Sequence, residues 1–241
     1  MAGFVKIQLA FGIISVLIPG IGFIFALLGI SDPLFTSNVT TTCLIVSWIL
    51  MLITPFIVTS REPTTVKFTS VIIFWGVITV VFPIIWDFTW ALFHKLVHGA
   101  TANDRWLWYW WSYSVADTRF LKSDPLMIII EFWSGILGFV HAYAMYRFFK
   151  GDIRQAFHIA LTAGCMQFYA CSAFFGVEAL KGFENIEPDF FSFYMKFWGL
   201  NGFWVIMPFI DTYLFLRLMN DPDYDVTETL NKYFLGRKTS R

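Results

Sequence analysis

Several carboxylates stand in this chain where hydrocarbon-facing residues are expected. Glu131 lies one turn into an apolar run, residues 127–149, that is long enough to cross a bilayer. Asp87, Glu178 and Asp211 lie in or at the ends of other such runs. A charged carboxylate at that depth is costly unless it is paired, hydrated or protonated, so each is a candidate for function. A carboxyl kept neutral by apolar surroundings is a general acid, and Glu131 and Asp87 are the candidates for that work. Asp211 sits nearer the other end of its run, where pairing with Arg217 or with a helix dipole is the simpler reading.

The side chains around these acids extend the pattern. Trp86 and Trp90 flank Asp87, and Asn201 and Trp204 are one helical turn apart on the last apolar run. Gln167 lies about three turns from Glu178 on a similar face, with Tyr169 beside it. Residues 105–113 read Arg-Trp-Leu-Trp-Tyr-Trp-Trp-Ser-Tyr. Such a stretch fits an interfacial aromatic belt, and equally a lid over a pocket whose ring faces stabilise a cation, either a ligand or a carbocation. Composition alone does not separate the two. Asp117 and Arg119, two residues apart, form a pair that fixes the following loop behind the site. His94 and His98 read as interfacial and His141 as a packing residue on a different face from Glu131.

The elements that must position these residues are membrane helices. With 57% hydrophobic, 20% aromatic and only 14% charged residues, the 241-residue chain is not an ordinary soluble domain. Six runs of spanning length occur, residues 4–30, 39–58, 68–93, 127–149, 157–180 and 191–218, which predicts an all-α polytopic bundle. The first run lacks a small-residue cleavage pattern and reads as a retained span. Six spans place Lys6, Arg61, Lys67, Arg147, Lys150, Arg154, Lys232, Arg237, Lys238 and Arg241 on one side of the membrane. Asp32, Asp104, Asp117, Asp124, Glu184, Glu187 and Asp189 collect on the other side. Both termini are therefore expected in the cytoplasm. In that topology Asp87 and Glu131 reach the same non-cytoplasmic depth, at about 1.5 Å per residue, and face each other.

Equal numbers of basic and acidic residues, 17 each, remove the electrostatic case for nucleic acid. Cys43, Cys165 and Cys171 show no metal or redox spacing and are expected to be buried. His94 and His98 have no third ligand at suitable spacing, so no metal site and no cofactor are expected. The partners expected are the lipid bilayer and a hydrophobic small molecule.

The segments together carry a resemblance. Tyr113-Ser114-Val115-Ala116-Asp117-Thr118-Arg119-Phe120, then Ser123-Asp124-Pro125, then Glu131 with Ser134 one turn on, resemble the emopamil-binding protein family, also called EXPERA-domain proteins. Gln167-Phe168-Tyr169, with Glu178 beyond it, looks like the family's Gln-x-Tyr stretch. Asn201-Gly202-Phe203-Trp204, followed by Pro208, looks like its Asn-x-x-Trp segment. The resemblance implies two added helices over residues 1–65, a four-helix EXPERA-like membrane domain over 66–220 and a polar cytoplasmic tail over 221–241. It further implies a sterol-sized cavity open towards the membrane, residence in the endoplasmic reticulum and the option of a homodimer. Sterol isomerase members move a ring double bond with a His and a Glu on one span and a Glu on the next. Carried over, Glu131 matches the family Glu, Asn201 and Trp204 match the Asn-x-x-Trp, and Asp117 and Arg119 match the loop.

The third run departs from that pattern. Where the family reads His-x-x-x-Glu, this chain reads Pro83-Ile84-Ile85-Trp86-Asp87, without the His and with a shorter acid. Acid initiation survives that change, while the division of labour between donor and base does not. Protonating an alkene or epoxide gives a cation that a neighbouring double bond captures, which is cyclisation, or that loses a proton, which is isomerisation. In size, span number and membrane acids the chain also looks like small membrane-bound terpene cyclases of fungal meroterpenoid pathways. The leading expectation is an acid-initiated cyclase of an isoprenoid, with Glu131 as donor, Asp87 as its partner and Trp86, Trp90 and Trp204 around the cation. Gln167, Tyr169, Glu178 and Asn201 are expected to contact the substrate. A sterol double-bond isomerase and a non-catalytic sterol- or lipid-binding protein are the alternatives.

Overall fold

The computed structural model describes residues 3–58 and 62–236, so Arg61 and the terminal basic residues Arg237, Lys238 and Arg241 lie outside the described residues. Among the described residues six helices are long and apolar enough to cross a membrane, as the run lengths predict: Gly3–Leu28, Pro33–Ile57, Thr64–Val97, Pro125–Phe149, Ile153–Leu180 and Phe191–Met219. The chain is an all-α integral membrane bundle.

Local chemistry sets where the spans begin. The second helix, α2 (Pro33–Ile57) after α1 (Gly3–Leu28), starts six residues before the apolar run. Pro33 supplies a preset φ at the first helical position, and Asp32 caps it by accepting from the Phe35 N–H at 2.8 Å. The fourth span begins the same way, with Pro125 in the first turn and Asp124 accepting from the Leu126 N–H at 2.9 Å. The fifth span is capped by Asp152, which accepts from the Gln155 N–H at 3.1 Å.

The third span is not one regular helix. It runs as α3 (Thr64–Phe82), a π-helical turn (Pro83–Phe88) and α4 (Thr89–Val97). Proline has no N–H to give the helical ladder and its ring crowds the preceding turn, so Pro83 is where the register widens. After the short helices α5 (Trp108–Ser114) and α6 (Thr118–Leu121) come α7 (Pro125–Phe149) and α8 (Ile153–Leu180). The sixth span opens with a second π-helical stretch, Phe191–Leu200, before α9 (Asn201–Met219). The two irregular stretches place Asp87 and Asn201, the second of which directly follows its stretch.

The two larger of three apolar clusters among the described residues tie the helices together. One gathers α1, α2, α3 and α9 around Trp48, Ile72, Trp75 and Leu218. The other joins the loop helices to α7 and α8 through Trp90, Phe120, Met127, Phe174 and Phe197. Polar bonds lock α1 into the first: the Gln8 side-chain amide donates to the Met51 carbonyl at 2.8 Å, and Ser70 donates to Gln8. Hydrogen bonds of this kind hold membrane helices together where hydrophobic contrast with lipid is absent.

Candidate active site

Gly135 and Gly138 decide how closely α7 approaches the Pro83–Phe88 turn. A Cβ on Gly135 would stand 2.3 Å from the Phe88 Cβ, and one on Gly138 would stand 2.9 Å from Ile84 Cγ1. Without side chains there, α7 seats directly on the turn and brings Glu131 and Ser134 to Asp87. Ser134 Oγ donates to Asp87 Oδ2 at 2.5 Å, and the Asp87 and Glu131 carboxyl groups are within hydrogen-bonding reach of each other. The two acids placed at matched depth by sequence thus meet in one chamber.

The chamber has a volume of about 140 Å³. Asp87, Glu131, Ser134, Gln167 and Cys171 line it together with Asn201. Trp48, Trp86 and Trp204 form its aromatic wall, with Trp204 set on Trp75 at 4.8 Å between ring centroids. Electron-rich ring faces arranged around two carboxyl groups suit a positive charge that forms transiently next to them.

The aromatic loop divides between the surface and the chamber wall. Trp106 is 55% exposed, whereas Trp108 is 2% exposed, donates its indole N–H to the Pro33 carbonyl at 2.9 Å and lines the chamber. Tyr109 and Tyr113 come from the same loop and also line it. Burial, reinforced by the negative charge of Asp87, pushes the Tyr109 phenol far above its ordinary value. Burial likewise raises Tyr113 well above its ordinary value, with Asp117 adding to the effect and an Asn201 hydrogen bond opposing it. Both phenols therefore stay neutral and can donate hydrogen bonds into the chamber. Asn201 Nδ2 donates to Tyr113 Oη at 2.7 Å, so the amide orients the phenol.

Other sequence-selected residues fall elsewhere. Glu178 does not line the chamber: it is fully buried against Arg119, with Nη1 to Oε1 at 3.3 Å, and accepts from Asn185 Nδ2 at 3.2 Å. Arg119 holds Asp117 at 2.6 Å on its other side and donates to the Phe174 carbonyl at 3.2 Å. Burial pushes the Asp117 carboxyl up from its ordinary value against the opposing pull of Arg119. Asp117 and Arg119 thus fix the loop as a pair, and Glu178 joins them because a buried guanidinium has donors for two carboxylates. The loop also bridges to the stretch after α8, where Thr118 N donates to the Asn185 carbonyl at 2.9 Å.

Tyr169 is 76% exposed on the outer face of α8, so it cannot touch a molecule in the chamber. Trp90 is fully buried against Phe120, with ring centroids 4.6 Å apart, and is not part of the chamber wall. Asp211 stays apart from the other acids; its Oδ1 is buried without a hydrogen-bond partner, and no ion pair with Arg217 forms among the described residues. The cysteine expectation is corrected as well. Cys165 is exposed on an outer helix face and Cys43 and Cys171 are only partly buried, Cys171 because it borders the chamber.

Sequence reasoning missed a polar stripe on α2. Ser37, Thr40, Thr41, Leu44 and Trp48 line the chamber, and Ser37 Oγ donates to the Ser112 carbonyl at 2.6 Å. Their three- and four-residue spacing is the signal that would have found them. His141 is buried and its Nε2 lies 3.2 Å from Gln167 Oε1, so it packs as expected while steadying an amide of the chamber.

Comparison with known proteins adds to this geometry. Residues 105–214 match the family model EXPERA (EXPanded EBP superfamily). Over 101 residues the chain is 32% identical to a probable 3-beta-hydroxysteroid-Delta(8),Delta(7)-isomerase of Oryza sativa subsp. japonica, covering 41% of this chain and 45% of that relative. The chain thus spans less than half the length of that curated relative. No solved structure matches. Glu131, Gln167, Asn201 and Trp204 lie inside the family match, and Asp87 lies before it. Over residues 105–214 the chain is thus similar to the EXPERA, or expanded EBP, superfamily.

Proposed function

We propose that this protein is an integral-membrane isomerase that moves a carbon–carbon double bond in a sterol-like substrate. The observation that carries the reading is the contact between Asp87 and Glu131 beside Ser134, inside a chamber walled by Trp48, Trp86 and Trp204. Two carboxyl groups share a hydrogen bond only when one holds a proton. Glu131 gives that proton to one alkene carbon, so the π pair becomes a new C–H bond and the neighbouring carbon becomes a cation. The tryptophan faces stabilise the cation. Asp87 then removes a proton from an adjacent carbon, and that C–H pair becomes the new double bond. Net proton change is zero, and transfer back across the Asp87–Glu131 contact resets the pair. The isomerase named among the similar proteins and the family match both support this reading over cyclisation.

One observation favours a second reading. Position 83, where family resemblance places a His, is a proline, so no imidazole enters from that turn to take up a proton. A cation formed in the same chamber by the same acid and captured by a second double bond of an isoprenoid would be a cyclisation. Location in the endoplasmic reticulum membrane with both termini cytoplasmic belongs to this proposal; the family resemblance supports the membrane, and the loop charge distribution supports the orientation.

The test is expression in a host lacking these pathways, fed sterol intermediates, farnesylated phenols and their epoxides. A shifted sterol double bond is the expected product. A cyclised isoprenoid selects the second reading, and sterol binding without any product rejects both in favour of a binding protein.

A further inference from the structure

The acid chamber is too small for a whole polycyclic substrate. Its volume of about 140 Å³ compares with roughly 300–1,000 Å³ for pockets that enclose drug-sized ligands. A second cavity of about 400 Å³ lies next to it, between α1 and the outer part of the third span. Pro19, Phe82 and Tyr109 belong to the linings of both, so the two spaces meet at these three residues.

The second space is a groove of almost purely apolar character. Val16, Gly20 and Phe23 come from α1, Val81 and Ile85 from the third span, and Trp106 and Trp110 from the aromatic loop. Of its two hydroxyls, Ser15 already donates to the Phe11 carbonyl at 2.9 Å, and the Tyr109 phenol stands where the groove meets the chamber. Beyond that junction the groove is walled by aliphatic and aromatic side chains. The chamber, in contrast, holds the side chains of Ser37, Thr40, Thr41 and Asn201. An amphiphilic substrate therefore orders itself with its polar end and reacting ring in the chamber and its hydrocarbon end in the groove.

From this continuity we infer that the groove between α1 and the third span is a subsite for the aliphatic side chain of the substrate, with Pro19, Phe82 and Tyr109 forming the neck. The inference rests on the isomerase reading for the identity of the substrate. It also gives α1, which lies outside the matched family segment, a binding role. Gly20 supplies a direct test, because a Cβ there meets no atom within 4 Å and a larger side chain grows into open groove.

Gly20→Phe in full-length protein, in membranes or nanodiscs, is assayed on a sterol alkene bearing its full side chain and on the analogue lacking it. The ratio of kcat/KM for long over short substrate is expected to fall about 10-fold, because binding energy from the remote tail is lost. An unchanged ratio overturns the inference. Wild-type protein is also photolabelled with a sterol carrying a diazirine at the end of its side chain, a measurement that needs neither turnover nor the variant. Adducts on residues 15–23 are expected. Adducts elsewhere, or undiminished labelling of the wild-type groove by a diazirine phospholipid in the presence of excess sterol, show that a lipid chain is the occupant and overturn it. Labelling of the groove without any isomerisation would refute the proposed function and leave the subsite standing.

Discussion

Gly135→Ala isolates the approach of α7 to the Pro83–Phe88 turn. The added Cβ would stand 2.3, 2.7 and 2.8 Å from Phe88 Cβ, Cδ2 and Cγ, whereas ordinary contact begins at 3.4 Å. The nearest of these atoms is fixed to the backbone, so relief requires the two elements to separate by about 1.1 Å, the difference between 3.4 and 2.3 Å. Overpacking of this kind costs about 1–3 kcal/mol of stability. The chemical cost is larger, because Ser134 and Glu131 ride on α7 while Asp87 rides on the turn. A misplacement of about 1 Å in a positioned site lowers turnover about 100-fold. The assay pairs thermal unfolding in detergent with kcat/KM for the proposed double-bond shift, and Gly176→Ala is the control because a Cβ there meets nothing within 4 Å. Wild-type stability and turnover in Gly135→Ala would refute the claim that close approach assembles the acid pair. Equal losses in both variants would show that glycine matters through helix flexibility instead.

Further outcomes follow from the same geometry. Glu131→Gln and Asp87→Asn should each lower turnover about 100- to 10,000-fold while the protein remains folded and membrane-inserted, as measured by product formation and by monodispersity in detergent. Tyr113→Phe removes one of the three acceptors of the Asn201 amide, the Lys196 and Phe197 carbonyls being the others, and should lower kcat/KM by about 10-fold. Because the Tyr113 phenol is held well above its ordinary value, wild-type activity should show no loss attributable to its ionisation up to about pH 10, the unperturbed phenol value, in a pH–rate profile. Arg119→Met leaves Asp117 and Glu178 buried without their cation and should cost about 3–5 kcal/mol, read as a lowered melting temperature.

Particular residues show which parts of the site were legible. Asp87 and Glu131 could be paired from sequence because position along a span follows from counting residues, and in the structure both line one chamber. Trp86 and Trp90 could not be separated: four residues apart, they share a face on a regular helix. The π-helical turn over Pro83–Phe88 widens the register between them, so Trp86 lines the chamber while Trp90 packs behind it on Phe120. Gln167 and Glu178 were grouped on similar grounds, three turns apart. Gln167 does reach the chamber, but Glu178 is drawn to Arg119, a partner distant in sequence that no helical periodicity reveals. Ser37, Thr40 and Thr41 were less legible because a hydroxyl on a membrane helix can bond its own backbone and so marks no site by itself, although their spacing marks one face of α2.

What the chain by itself determined is its membrane character, its six spanning helices and the position of each acid along them, because hydrophobic length and the cost of a buried charge act locally along the sequence. What only the tertiary structure decided is which of those acids meet. Asp87 and Glu131 touch because Gly135 lets two helices close on each other, whereas Glu178 is claimed by Arg119 and Asp211 stays apart. Those choices depend on helix register and close packing between segments far apart in sequence, which act only once the bundle has formed.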